Sequence, residues 1–267
     1  MQVQDRVFVV TGGGNGIGRE VVIRLLGEGG KVAAVDLRAE ALEGLRSLAG
    51  ADRLSTHACD VSDEDAVRTL ADEVVAFHGQ VDGLLSVAGI IQRFVPFADL
   101  PRAEMEKVMG VNFWGVVNTC SAFLPLLRER PEACVVNVSS MGGFTPVPGQ
   151  TVYGASKAAV KLLTEGLYAE MRGTSVAVTV VFPGGVATGI ADNSGAAREG
   201  MGDDIAKAAA RLTTPQAAAE QIVDAVRSGA YRVVLGKDAK GLDVMMRLNP
   251  RRATDLIAKK MASLIEK

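Results

Sequence analysis

Short runs rich in Val, Ala and Leu alternate with longer helical patterns along most of this sequence, and no other feature constrains the fold as strongly. Residues 6–10, 31–35, 54–58, 83–87, 133–138 and 176–181 read as strands, with a seventh at 231–235. Residues 18–28, 39–48, 63–77, 102–127 and 153–171 read as helices, and a further helix lies near 215–227. Strands and helices alternating at this spacing require crossover connections, hence parallel strands with helices on both faces. The expected fold class is α/β, one Rossmann-like doubly wound parallel sheet spanning residues 1–267 as a single domain. Composition agrees with this. Aromatic residues are 4 % of the chain and apolar residues 48 %, so the core is aliphatic, as strands covered on both faces demand.

The 29 basic and 31 acidic residues leave a net charge of −2. That balance offers no field to draw in nucleic acid or an anionic bilayer. No apolar run approaches the ~18 residues of a membrane span. The polar lead-in from Met1 to Arg6 reads as the approach to a strand and not as a secretion signal. Cys59, Cys120 and Cys134, with His57 and His78, show no metal-ligand spacing. Reduced thiols, a cytoplasmic location and no metal are therefore expected.

Two stretches break the rhythm. Residues 189–211 are rich in Gly, Ala and Asp and follow the end of a strand, where open α/β sheets keep their ligand crevice. They are expected to form a substrate lid. The tail, residues 237–267, holds eight basic and four acidic residues. Its Leu256, Ile257, Met261, Leu264 and Ile265 fall on one helical face, which predicts docking on the parent domain or on a sister subunit in preference to a membrane surface.

The first strand runs directly into Thr11-Gly12-Gly13-Gly14-Asn15-Gly16-Ile17-Gly18. Glycines permit a tight turn and let backbone N–H groups approach a pyrophosphate, while the following helix points its positive end at that anion. Asp36 ends the second strand, where a carboxylate accepts hydrogen bonds from the adenosine ribose hydroxyls and repels a 2′-phosphate. Asn15 adds no positive charge to that corner, and Arg38 is the nearby basic group that keeps NADP open. NAD is thus expected over NADP. Asp60-Val61 ends the third strand, placing a carboxylate either beside the adenine amino group or at the cap of the next helix.

Tyr153 and Lys157 lie four apart at the start of a predicted helix and project from one face. An ammonium beside a phenol favours phenolate and lowers its pKa, so the phenol can give a proton to a carbonyl or take one from an alcohol. Ser139-Ser140 ends the fifth strand, where a hydroxyl can bond the same substrate oxygen.

Together these motifs make the sequence similar to the short-chain dehydrogenase/reductase family, from residue 6 to about residue 190. The resemblance implies that the Thr11–Gly18 turn, with Gly12, Gly16 and Gly18 at its centre, cradles the pyrophosphate, and that Asp36 and Leu37 meet the adenosine. It implies that Asp60 and Val61 flank the adenine and that Ala88 and Gly89 let the cofactor approach. Asn112 would hold a water relaying protons from Lys157, Ser140 would polarise the carbonyl and Tyr153 would be the acid/base. Lys157 would bind the nicotinamide ribose, and Pro183, Gly184, Val186 and Thr188 would grip the carboxamide. Family members pair through the helices equivalent to those predicted around residues 102–127 and 153–171, implying a homodimer or homotetramer.

Two departures from the family pattern stand out. Ser86-Val87-Ala88-Gly89 replaces the usual Asn-Asn-Ala-Gly and loses an amide that ties neighbouring strands. The tail also lacks the short Asp-Gly-Gly ending of many tetrameric members.

The expected activity is hydride transfer between NAD(H) and a hydrophobic or cyclic secondary alcohol or ketone. Ile91, Phe94, Met141, Phe144, Val147, Gln150 and Ile190 are expected to line the substrate pocket, with Gln150 and Arg93 its polar exceptions. The alternatives are an NADPH-preferring carbonyl reductase using the same residues and a non-catalytic cofactor-binding scaffold.

Overall fold

The computed structural model describes residues 1–50, 52–196 and 212–262. Seven parallel strands form one sheet in the order β3-β2-β1-β4-β5-β6-β7. They are β1 (Val7–Thr11), β2 (Lys31–Asp36), β3 (Leu54–Ala58), β4 (Gly83–Ser86), β5 (Ala133–Val138), β6 (Val176–Pro183) and β7 (Arg232–Leu235). The order reverses between β1 and β4, which opens a crevice at the carboxyl ends of those strands. The helices are α1 (Gly16–Gly27), α2 (Ala39–Glu43), α3 (Glu64–His78), α4 (Arg102–Met109), α5 (Gly115–Arg128) and α6 (Thr151–Glu170). They continue as α7 (Ile190–Asn193), α8 (Pro215–Ser228), α9 (Lys237–Leu248) and α10 (Pro250–Met261).

Alternation along each strand sends side chains to two separate cores. Phe8 and Val10 of β1 meet Val22 and Leu25 of α1 and Ile222 and Val226 of α8 on one face. Val9 faces the other way with Leu84 and Val135, against Val67 and Val74 of α3, Phe123 and Leu127 of α5 and Val160 of α6.

Three expectations change in detail. The helix expected over 39–48 ends at Glu43, because Gly44 is a poor helix former and becomes its C-cap, although Leu45 still reaches the core. The helix expected over 102–127 contains a π turn, Gly110–Trp114, between α4 and α5. The combined run Arg102–Arg128 is long and apolar enough to cross a membrane by length and composition, where the sequence reading found no such run. It is instead packed into the second core through Val116, Phe123 and Leu127. At the Ser86–Gly89 departure from the family pattern, Thr11 Oγ1 accepts from the Val87 and Ala88 N–H groups at 3.1 and 3.2 Å and ties β1 to the end of β4.

The tail forms a helical pair, α9 and α10, joined at Asn249, whose side chain caps α10 by accepting from the Arg252 N–H at 3.0 Å. Arg232 of β7 holds α9 by a two-pronged contact to Asp243 with both bonds at 2.8 Å. Ile257 is buried and Leu256 exposed, while Leu264 and Ile265 lie outside the described residues. Of the expected lid, α7 is described and residues 197–211 lie outside the described residues.

Candidate active site

A cleft of about 350 Å³ opens at the carboxyl ends of β1, β2, β4 and β5. Its floor is the glycine turn. Gly12 has φ +68°, and a Cβ there would lie 2.9 Å from the Ala88 Cα. A side chain on Gly18 would overlap the Gly12 carbonyl. The turn is therefore as tight as the backbone allows. Asn15 caps α1 without a side-chain hydrogen bond, so the first N–H groups of that helix are left for a ligand. At the end of β2, Asp36 Oδ2 accepts from the Gly14 N–H at 3.1 Å and Oδ1 from the Arg38 N–H at 3.2 Å. Each oxygen is held in place with acceptor capacity to spare. A pyrophosphate cradle, a free helix N-terminus and a fixed carboxylate together fit a nicotinamide dinucleotide.

The expected cofactor residues lie in this cleft, with one exception. Gly12, Asn15, Gly16, Ile17, Gly18, Asp36, Leu37, Asp60, Val61, Ala88, Gly89, Tyr153, Lys157, Pro183, Gly184, Val186 and Thr188 all border it. Thr11 does not: it is buried, and its hydroxyl braces the Val87–Ala88 wall from behind. Asp60 borders the cleft while its Oδ1 accepts from both the N–H and the hydroxyl of Ser62. The cap of α3 is Asp63, which accepts from the Asp65 and Ala66 N–H groups.

At the far end the two adjacent serines separate. Ser139 is buried and its hydroxyl donates to the Lys157 carbonyl at 2.7 Å. Ser140 Oγ accepts from the Gly142 N–H at 3.0 Å, which leaves its proton to be donated into the cleft. Lys157 is 3 % exposed, and its Nζ donates to the Val138 carbonyl at 3.0 Å. A Cβ on Gly89 would lie 3.0 Å from that Nζ and 3.3 Å from Asn112 Oδ1, so glycine keeps the approach to the ammonium open.

Burial pushes the Lys157 ammonium down to about 8. It pushes the Tyr153 phenol up from its ordinary value, opposed by a hydrogen bond to Ser140. Burial thus acts on the phenol in the direction opposite to the effect expected of Lys157.

Asn112 stands behind Gly89, presented by the π turn and fully buried. Its Oδ1 accepts from the Ile90 N–H at 2.8 Å, and its Nδ2 donates to the Ile90 carbonyl and to Ser156 Oγ at 2.9 and 3.0 Å. A relay water held by this side chain would use the remaining lone pair of Oδ1.

The profile of the short chain dehydrogenase family matches residues 6–199. The chain belongs to this family. SadH of Mycobacterium tuberculosis, which carries the name of an oxidoreductase, is 36 % identical over 255 residues, covering 92 % of this chain and 91 % of its own. The levodione reductase of Leifsonia aquatica is 34 % identical over 195 residues, covering 71 % and 73 %. Among solved structures, a short chain dehydrogenase/reductase from Burkholderia phymatum in complex with NAD superposes with a TM-score of 0.81 at 25 % identity, covering 94 % of this chain and 95 % of that one. A short chain dehydrogenase from Burkholderia cenocepacia in complex with NADP gives 0.81 at 25 % identity, covering 96 % and 99 %. This short chain dehydrogenase is thus an NAD(P)-dependent oxidoreductase of CH–OH groups.

The substrate side of this dehydrogenase departs from expectation. Of the seven predicted pocket residues, Ile91 and Ile190 border the cofactor cleft. Phe144, Val147 and Gln150 line a separate cavity of about 420 Å³, walled by Thr254 and Ala258 of α10. Met141 and Phe94 border neither. For Gln150 the cause lies in Gln92, which is fully buried. Its Oε1 accepts from the Val152 and Tyr153 N–H groups at 3.0 and 2.9 Å, capping α6 from outside. Its Nε2 donates to the Gly149 carbonyl at 3.0 Å, and Gln150 Nε2 donates back to the Gln92 carbonyl at 2.7 Å. Gln150 is therefore held by its Nε2 in this clasp and does not border the cleft, while its Oε1 is buried without a partner among the described residues.

Gln92 fixes where the Tyr153 turn begins, and sequence reasoning missed it. The available signal was a lone amide between Ile91 and a charged residue. Arg93 is neutralised by Glu104, which accepts from its N–H and Nε at 2.7 and 2.9 Å. Among the described residues no three metal-ligating side chains converge. His57 instead bonds Glu73 and Ser55 at 3.0 and 2.8 Å.

Proposed function

We propose that this dehydrogenase moves a hydride between NAD(H) and an apolar or cyclic secondary alcohol and its ketone. One observation carries this reading: the Ser140 hydroxyl, the Tyr153 phenol and the Lys157 ammonium meet at one end of a cleft built for a dinucleotide. The nicotinamide supplies or accepts the hydride. Ser140 Oγ, which accepts from Gly142 and faces Tyr153, donates its proton to the substrate oxygen. Tyr153 gives that oxygen a proton in reduction and takes one in oxidation. Lys157 keeps two N–H donors beyond its bond to Val138, one for a ribose hydroxyl, and its charge favours the phenolate once water is excluded. Asn112 braces the loop after β4 against α6, where any relay water would sit.

Asp36, oriented by two backbone N–H groups, supports NAD over NADP. Ile91 and Ile190, with Arg93 already paired, support an apolar substrate. A second reading, NADPH-linked ketone reduction, is favoured by Arg38 bordering the cleft beside Asp36. We place the enzyme in the cytoplasm as a homodimer or homotetramer, for which exposed Trp114 and Leu162 supply an apolar contact face. A monomeric mass in light scattering would count against that assembly.

The decisive test is Tyr153→Phe. With a panel of apolar alcohols and NAD⁺, turnover should fall by about 10²–10⁴-fold. Calorimetric affinity for NADH should move by less than twofold. Turnover within tenfold of the parent enzyme overturns the assignment.

A further inference from the structure

We infer that Asn193 sets the nucleotide preference of this enzyme by holding Arg38 away from the position of a 2′-phosphate. The inference rests on the reading of Asp36 as the ribose acceptor. Arg38 follows Asp36 at the corner of the cleft where a basic side chain accommodates such a phosphate. Its guanidinium is committed elsewhere. Nη2 donates across the cleft to Asn193 Oδ1 at 3.0 Å, a contact between residues 155 positions apart. The Arg38 N–H is simultaneously fixed to Asp36 Oδ1 at 3.2 Å, so the backbone stays while the side chain reaches over.

Asn193 is itself held. It closes α7, with its N–H donating to the Gly189 carbonyl at 2.9 Å. The next residue, Ser194, accepts from the Ile91 N–H at 3.0 Å on the opposite wall. The segment therefore bridges both walls of the cleft, and its tie to the β2 wall is the Arg38–Asn193 bond. A planar guanidinium bound at one edge presents its remaining donors in a fixed direction. While Asn193 holds that edge, the fork is not free to turn onto a phosphate beside Asp36.

The sequence alone leaves Asp36 and Arg38 in opposition, one repelling a 2′-phosphate and the other attracting it. Asn193 resolves that opposition in favour of Asp36 by occupying the arginine. Because the Arg38–Asn193 bond is exposed, its effect on affinity is modest.

The test is calorimetric titration with NADH and with NADPH of the full-length enzyme, Asn193→Ala, Arg38→Ala and the double variant. Asn193→Ala should raise NADPH affinity by about three- to tenfold, up to about 1.4 kcal/mol, with NADH affinity moving less than twofold. The gain should vanish in the double variant relative to Arg38→Ala. Unchanged NADPH affinity in Asn193→Ala, or a gain that persists without Arg38, overturns the inference. The parent enzyme tests the other reading separately: tighter NADPH than NADH binding there would sink the role given to Asp36. The effect of Asn193 would still be read from the two variant ratios.

Discussion

The two ends of the sheet each bury a charge, and they treat it in opposite ways. At the amino ends of the strands, Asp82 is fully buried and surrounded by donors. It accepts from the Val7 N–H at 2.9 Å, Gln80 Nε2 at 2.8 Å, Arg130 Nε at 2.9 Å and Arg6 Nη1 at 3.4 Å. At the carboxyl ends, Lys157 is as deeply buried with a single carbonyl partner, that of Val138. The first charge is compensated and ties β1, β4 and the end of α5 into one block. The second is left short of partners where a ligand is to bind, and its burial weighs against folding. A charge compensated from within supports the fold, and one awaiting an outside partner is a candidate for function.

The largest effect should come from removing the compensated charge. Asp82→Ala leaves Arg6 and Arg130 without their shared partner and the Val7 N–H buried and unpaired. It should cost about 3–5 kcal/mol in urea unfolding. Asp82→Asn, which preserves shape, should cost less. A loss below about 1 kcal/mol for the alanine variant would erase the contrast between the two ends.

Lys157→Met should act the other way. The native ammonium is held at about 8, below its ordinary 10.5. Between those values the unfolded chain binds more protons than the folded one, so stability rises with pH across that window. Below about 8 the penalty is present in full. The buried thiols, pushed up to about 11 for Cys59 and Cys120 and about 12 for Cys134, pull stability down above pH 9. The difference between parent and variant cancels their contribution. That difference should favour the methionine variant at pH 7 and change by about 3 kcal/mol by pH 10.5. A flat difference would mean that Lys157 is not paying for its burial.

The serine pair divides the same contrast within two residues. Ser140→Ala should lower turnover by about 10²-fold, with about 0.5–1 kcal/mol of stability lost with the acceptor of the Gly142 N–H. Ser139→Ala should lose about 1 kcal/mol of stability, because the Lys157 carbonyl loses its donor. The reverse pattern would exchange their roles.

Legibility in the sequence follows the same division between short-range and long-range causes. The glycine turn, Asp36 and the Tyr153–Lys157 pair were readable because each depends on local backbone geometry or helical spacing. The strands were readable from their aliphatic runs. The π turn was not, since one extra residue per turn inside 102–127 leaves hydrophobic periodicity nearly intact. Nor was the clasp of Gln92 and Gln150, which joins residues 58 positions apart. The adjacent serines were told apart by the family spacing to Tyr153, but the Lys157 carbonyl that takes the Ser139 proton was not legible. The same holds for Arg38, whose partner lies on a segment with almost no apolar pattern.

His78 breaks the simple form of the comparison and offers its smallest test. It closes α3 beside the start of β3, away from the cleft, with Nε2 on Ser55 Oγ at 2.9 Å. Its Nδ1 is buried without a partner, so an unsatisfied group exists outside the site as well. The difference from Lys157 is that imidazole escapes the penalty by staying neutral. Burial and the neighbouring His57 push it down to about 4 from 6.5. The unfolded chain then binds more protons between those values, and stability falls as pH drops through them. His78 is partly exposed, so solvent screening reduces the effect to about 1 kcal/mol. His78→Phe keeps a ring against Phe77 but cannot be protonated. Its stability relative to the parent should rise by that amount between pH 6.5 and 4. If the two acid profiles stay parallel, His78 titrates as freely folded as unfolded, and its unpartnered nitrogen costs the protein nothing that pH can reveal.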